Sequence, residues 1–137
     1  MNEKELVDLA KKAAKNAYVP YSHHTVGAAL LCKNGKVYLG CNIENAAYSP
    51  TNCAERTAFF KAVSEGEREF SAIAVVGGYE LDFENYFAPC GVCRQVMAEF
   101  CNMKTFKVIF GKSGDEYKVF TLEEILPFGF SPKDLKN

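Results

Sequence analysis

Asn34-Gly35 stands between two short apolar runs, Val26 to Cys32 and Lys36 to Cys41, and constrains the fold more than any other feature of the chain. An Asn-Gly pair in that setting is the strongest short-range signal for a β-hairpin, because both residues accept the positive φ of a tight turn. Pairing outward from it sets Cys32 against Val37 and Cys41 against Ala28. Before the hairpin, Leu6, Leu9, Ala10, Ala13 and Ala17 recur at helical spacing, and Pro20 ends that helix within the loop Tyr18 to Ser22. After it, a polar loop from Asn42 to Asn52 leads into a helix from about Cys53 to Ser64. Ala54, Ala58, Phe59, Ala62 and Val63 give that helix a buried face, and Gly66 stops it. Ser71 to Val76 reads as a buried strand closed by Gly77-Gly78. Pro89 opens a further helix with Cys93, Val96, Met97 and Phe100 on one side, and strands are predicted at Phe106 to Phe110 and Tyr117 to Thr121.

A hairpin followed by alternating helices and strands predicts an α/β fold in three α/β/α layers, with helices on both faces of one mixed central sheet. The sequence carries no repeat, low-complexity tract or linker, so residues 1–137 are expected to form one domain around one core. The 16 basic residues nearly balance the 17 acidic ones, for a formal charge of -1. That balance, with no basic stripe, argues against nucleic acid or an anionic membrane as partner and favours a small, weakly charged molecule. Met1 to Lys15 mixes both signs of charge and lacks a continuous apolar run, so it reads as neither signal peptide nor membrane span. A cytoplasmic, reducing location follows, in which six cysteines are metal ligands or small apolar residues rather than disulfides.

Two segments carry the chemistry: Thr51-Asn52-Cys53-Ala54-Glu55-Arg56 and Pro89-Cys90-Gly91-Val92-Cys93. Each places cysteine in the predicted first turn of a helix, where unpaired N–H groups and the helix dipole favour thiolate. Thiolates are zinc ligands, and three of them leave open the fourth position that a catalytic zinc requires. Cys101 follows Cys93 by eight residues on the same predicted helix, roughly 12 Å along its axis, and cannot share the ion. Cys32 and Cys41 read as small core residues, with Cys41 left open as a fourth ligand. Asn52 and Glu55 have the spacing of a capping box. Beside Cys53, however, the Glu55 carboxylate can also reach water activated by the metal. Arg56 would offset the excess negative charge of three thiolates around Zn²⁺. A lone C-x-x-C is shared with thiol oxidoreductases, and a structural zinc module would need a closed fourth position. A C-x-E followed, 34 residues beyond the Glu, by P-C-x-x-C is the all-cysteine form of the zinc nucleobase-deaminase signature.

Over nearly its whole length the chain resembles the small, homotetrameric, zinc-dependent cytidine deaminases of the cytidine/deoxycytidylate deaminase family. The likeness runs through Tyr21-Ser22, Val26-Gly27-Ala28-Ala29, Gly40-Cys41-Asn42-Ile43-Glu44-Asn45-Ala46-Ala47-Tyr48, Cys53-Ala54-Glu55-Arg56 and Pro89-Cys90-Gly91-Val92-Cys93-Arg94-Gln95. The resemblance implies one zinc per subunit on Cys53, Cys90 and Cys93, with Glu55 as proton shuttle. The implied reaction is hydrolytic deamination of cytidine and 2'-deoxycytidine to uridine and 2'-deoxyuridine in pyrimidine salvage. A related deaminase of antibiotic-type aminonucleosides is the alternative. Asn42 and Glu44 would hold the ribose hydroxyls, Asn45 would belong to the same substrate-binding segment, and the backbone around Ala54 would meet the base. Tyr48 and Phe130 match aromatics that border a neighbouring subunit's site, hence the expected tetramer. His24 stands where these proteins usually carry a phenylalanine against the nucleoside. The segment Gly78 to Ala88 is longer than usual and rich in aromatics, either covering the site or an interface, or simply packing as a loop. Leu126-Pro127-Phe128-Gly129-Phe130 only approximates the family pattern.

Overall fold

The computed structural model describes residues 1–135. Helix α1 (Glu3–Ala14) is capped by the Asn2 side chain and buries Leu6, Val7, Ala10 and Ala13 along one stripe. It ends six residues before Pro20, because Tyr18 leaves the helix to pair with Ile43. Strands β1 (His24–Cys32) and β2 (Val37–Cys41) form the expected hairpin. Its register is one residue off the expectation: Leu31 faces Val37 and Gly27 faces Cys41. The turn holds three residues, with Gly35 N–H donating to the Cys32 carbonyl at 3.0 Å and Gly35 at φ 92. Gly35 therefore makes the bulge of a three-residue loop, which adds one position to the pairing.

Helix α2 (Ala54–Ser64) precedes β3 (Phe70–Tyr79), and α3 (Gly91–Phe100) joins β3 to β4 (Lys107–Gly111). β5 (Tyr117–Thr121), the short α4 (Leu122–Ile125) and a 3₁₀ turn (Pro132–Leu135) complete the described chain. The sheet order is β2-β1-β3-β4-β5, with β3 and β4 parallel and the other neighbours antiparallel. Side chains alternate between the faces of β1, as strand geometry requires. Val26, Ala28, Leu30 and Cys32 pack under α2 and α3 with Phe59, Met97 and Phe106. Ala29, with Ala74, Val76 and Ile109, packs under α1. The three-layer α/β/α arrangement with a mixed sheet is thus the one expected.

Two glycines set the layer spacing. A Cβ on Gly27 would lie 2.0 Å from the Ala10 carbonyl oxygen of α1, and one on Gly40 would lie 2.3 Å from the Ala54 carbonyl oxygen of α2. Each helix therefore lies directly on the sheet. The strand expected to close at Gly77-Gly78 instead runs through both glycines, since the segment that follows folds back against them.

β1 runs antiparallel to both β2 and β3. The start of β1, the end of β2 and the end of β3 therefore meet at one edge of the sheet. His24, the Asn42–Asn52 loop and the segment leading to α3 all converge there.

Candidate metal centre and active site

Cys53 and Cys90 are the residues immediately before α2 and α3, both in extended conformation and neither using its side chain as a cap. Their thiols are therefore free to turn toward each other at the two helix N-termini, where the helix dipoles favour negative charge. Cys93, one turn into α3, is buried beside them. The three Sγ atoms lie within 4.8 Å of one another, and those of Cys53 and Cys90 are 3.9 Å apart. A tetrahedral ion with Zn–S bonds of about 2.3 Å needs sulfurs roughly 3.8 Å apart, so the donor set fits zinc. Among the described residues no other cysteine, histidine or carboxylate joins this group. Cys32 lies in the core, and Cys101 packs against it on the far end of α3. The fourth-ligand role left open for Cys41 has no support.

Arg56 Nη2 donates to Cys53 Sγ at 3.1 Å, which puts its charge where the excess of thiolate charge was expected. The hydrogen bond from Cys93 lowers the Cys53 pKa most, working against burial and assisted by Arg56. Cys93 is pushed up in turn by that same bond and by its burial.

Glu55 is 1% exposed, and its Oε1 has no hydrogen-bond partner. The capping-box arrangement is not formed: Cys53 occupies the cap position, and Asn52 Nδ2 donates to Thr57 Oγ1 instead. A buried carboxylate oxygen without a partner carries a desolvation penalty unless something else meets it. Burial lifts the Glu55 pKa to about 7, which suits a group that must both accept and release a proton near neutrality.

Glu55 lines a cavity of about 220 Å³ together with Cys53, Cys90, His24, Asn42 and Phe87. Ser22 and Thr51 border this cavity and also a second one of about 300 Å³, lined by Tyr21, Glu44, Asn45 and Tyr48. The cavity with the cysteines and the carboxylate thus adjoins a polar one across Ser22 and Thr51. Asn42 Oδ1 accepts from Val26 N–H at 2.9 Å, and its Nδ2 donates to the His24 carbonyl at 2.8 Å. Asn42 thereby ties the end of β2 to the start of β1, leaving one amide hydrogen and one lone pair to spare. Glu44 accepts from the Tyr21 and Ser22 backbone N–H groups and from the Ser22 hydroxyl. The Ser22 hydroxyl does most to hold its carboxyl below the usual range.

Asn45 Oδ1 accepts from Ala47 N–H, which shapes the loop carrying Tyr48. Tyr48 is 75% exposed at φ 60, and Phe130 is 55% exposed and lines neither cavity. The Phe130 backbone is held on α3, its carbonyl accepting from Gln95 Nε2 at 2.8 Å. Phe87 was not singled out as a site residue from the sequence. It lies in the long, aromatic-rich segment Gly78 to Ala88, and that composition, three residues before Cys90, was the available signal. A larger cavity of about 750 Å³ lies between Cys101, Met103, Phe128 and Lys133 and holds none of these groups.

Residues 1–111 match the family described as the cytidine and deoxycytidylate deaminase zinc-binding region. The chain is 53% identical to a cytidine deaminase of Sporosarcina psychrophila over 98% of its own length and 96% of the relative's. It is 50% identical to one of Halalkalibacterium halodurans over the full length of both. The crystal structure of cytidine deaminase from Burkholderia pseudomallei superimposes with a TM-score of 0.87 at 45% identity, covering 95% of this chain and all of that one. With three cysteines spaced for zinc and a buried glutamate beside them, the chain belongs to the cytidine and deoxycytidylate deaminase family of zinc enzymes.

Proposed function

We propose that the protein hydrolyses cytidine and 2'-deoxycytidine to uridine and 2'-deoxyuridine with release of ammonia. The observation that carries this reading is the orphaned Oε1 of Glu55, held in the same cavity as Cys53 and Cys90. Cys53, Cys90 and Cys93 hold the zinc, and when bound it supplies an activated water by lowering that water's pKa from 15.7 towards about 7. Glu55 accepts the proton of the attacking water and passes it to N3 of the ring as the oxygen bonds to C4. Glu55 then takes the remaining proton from the new C4 hydroxyl and delivers it to the exocyclic amino group, so that the C4–N bond breaks, the C4 carbonyl forms and ammonia leaves. Asn42 and Glu44 hold the ribose hydroxyls, using the donor and acceptor capacity that their internal hydrogen bonds leave free. The charge of Glu44 repels phosphate, favouring a nucleoside over a nucleotide. Arg56 balances the thiolates, and the backbone at Ala54 faces the base.

The exposed Tyr48 and Phe130 suit residues that complete a neighbouring subunit's site, which supports a homotetramer. No helix among the described residues is long and apolar enough to cross a membrane, and the six free cysteines fit a cytoplasmic setting. Glu55→Ala tests the assignment: it should retain its zinc and lose at least about 10³-fold in kcat, since it removes the proton shuttle. A zinc-loaded variant with near-normal kcat would remove Glu55 from the mechanism.

A further inference from the structure

The segment between β3 and α3 is fastened to the sheet edge at several points. Thr25 Oγ1 donates to the Gly78 carbonyl at 2.8 Å and accepts from Leu81 N–H at 2.9 Å, while Glu80 N–H donates to the His23 carbonyl at 2.8 Å. Glu80 and Leu81 have φ of 47 and 67, a conformation that ordinary side chains adopt only when the surroundings hold them in it. Further along, Ser113 N–H donates to the Phe83 carbonyl at 2.7 Å. The Tyr86 ring lies under the ammonium groups of Lys112 and Lys118, 5.2 and 4.7 Å from its centroid.

Phe87 ends this strap. Its ring fills the space left by Gly77, where a Cβ would come within 2.6 Å of Phe87 Cδ2. It also meets the His24 ring, with centroids 5.6 Å apart and planes at 39°. Both rings line the cavity that holds Cys53, Glu55 and Cys90.

Resting on the deaminase reading above, we propose that Phe87 is a specificity-determining residue, forming with His24 the aromatic wall against which the aminopyrimidine ring packs, and that Gly77 is a positioning residue that seats it. Such a wall supplies dispersion and ring–ring packing but no polar group near the reacting atoms. It binds ground state and transition state alike, so its loss belongs in KM rather than in kcat.

The experiment compares zinc-loaded wild type with Phe87→Leu, Phe87→Ala, Gly77→Ala and the Gly77→Ala/Phe87→Ala double variant. It measures KM and kcat for cytidine, the Kd of uridine by calorimetry, and zinc content. Phe87→Ala should raise KM and the uridine Kd roughly tenfold with kcat within about threefold, and Phe87→Leu should do so less. Gly77→Ala should raise both constants by displacing the ring, yet add little once Phe87 is alanine, because only the contact with the residue 87 Cβ, at 3.2 Å, then remains. Unchanged KM and Kd in either Phe87 variant would overturn the wall, and Phe87→Leu decides this if Phe87→Ala does not fold. An equal effect of Gly77→Ala with and without Phe87 would reduce Gly77 to a structural role. A wild type that binds uridine but converts no cytidine would overturn the deaminase reading instead, with the wall still judged by the uridine Kd.

Discussion

Burial, with the Cys53 sulfur beside it, raises the proton affinity of Glu55, while a backbone hydrogen bond and the charge of Arg56 lower it. Burial is the largest influence and lifts its pKa to about 7, against an ordinary value of 4.5. In zinc-free protein this has a consequence for stability. The folded state keeps a proton that the unfolded chain releases between those values, so the contribution is fully present below about pH 4.5 and is lost as pH rises through about 7. A neutral glutamine shows no such loss. In chelator, the stability of Glu55→Gln relative to wild type should therefore increase by up to about 3 kcal/mol between pH 4.5 and 8. Urea unfolding at several pH values checks this, and a difference that does not vary with pH would mean that Glu55 is solvated in the folded chain. Single residues were legible in the sequence where their chemistry is local: three cysteines and one glutamate at fixed spacing sufficed for the metal group. Spacing alone left a capping box open for Asn52 and Glu55; in the structure Cys53 takes the cap position and Glu55 is buried instead. Phe87 stood out only as one aromatic of the Gly78 to Ala88 segment, which could cover the site or simply pack as a loop, because such a residue acquires meaning only from what lies opposite, here Gly77 and His24.

The elements hold the site through close contact of helix and sheet. Gly40 lies under the first turn of α2, the turn that carries Glu55 and follows Cys53, whereas Gly27 lies under α1 on the other face. Adding a methyl group at either position forces helix backbone away from the sheet, and each alanine variant should lose about 1–3 kcal/mol of stability. The functional effects should diverge. Gly40→Ala shifts the start of α2 and should weaken zinc retention against a competing chelator, while Gly27→Ala should leave zinc retention near wild type. Equal zinc loss in both variants would indicate that the metal group reports global loosening rather than α2 placement. Helices α2 and α3, the hairpin and β5 were readable from periodicity and turn chemistry. The hairpin register was not, because Asn-Gly serves a two-residue turn and a three-residue bulged turn equally well, and the choice between them moved every pair by one position. Gly77-Gly78 read as an end for a related reason: glycine breaks strands in isolation, but here it makes room for Asp82 and Phe87 to fold back.

At the scale of the whole molecule, strand direction gathers the site. Because β1 opposes both β2 and β3, the ends of β2 and β3 and the start of β1 share one edge, and α2 and α3 begin beside it. Two helix N-termini, three thiols and one buried carboxylate thereby come from segments far apart in sequence. The chain's formal charge of -1 adds no net attraction for a polynucleotide. Deamination of cytidine by this assembly should require zinc on its three cysteines. This is tested most directly by following the ultraviolet absorbance of cytidine over time with the purified protein as isolated, after zinc removal by chelation, and after zinc is restored. Conversion to uridine should disappear with the metal and return with it. Conversion that persists in fully zinc-free protein, or none by protein carrying one zinc per chain, would contradict it.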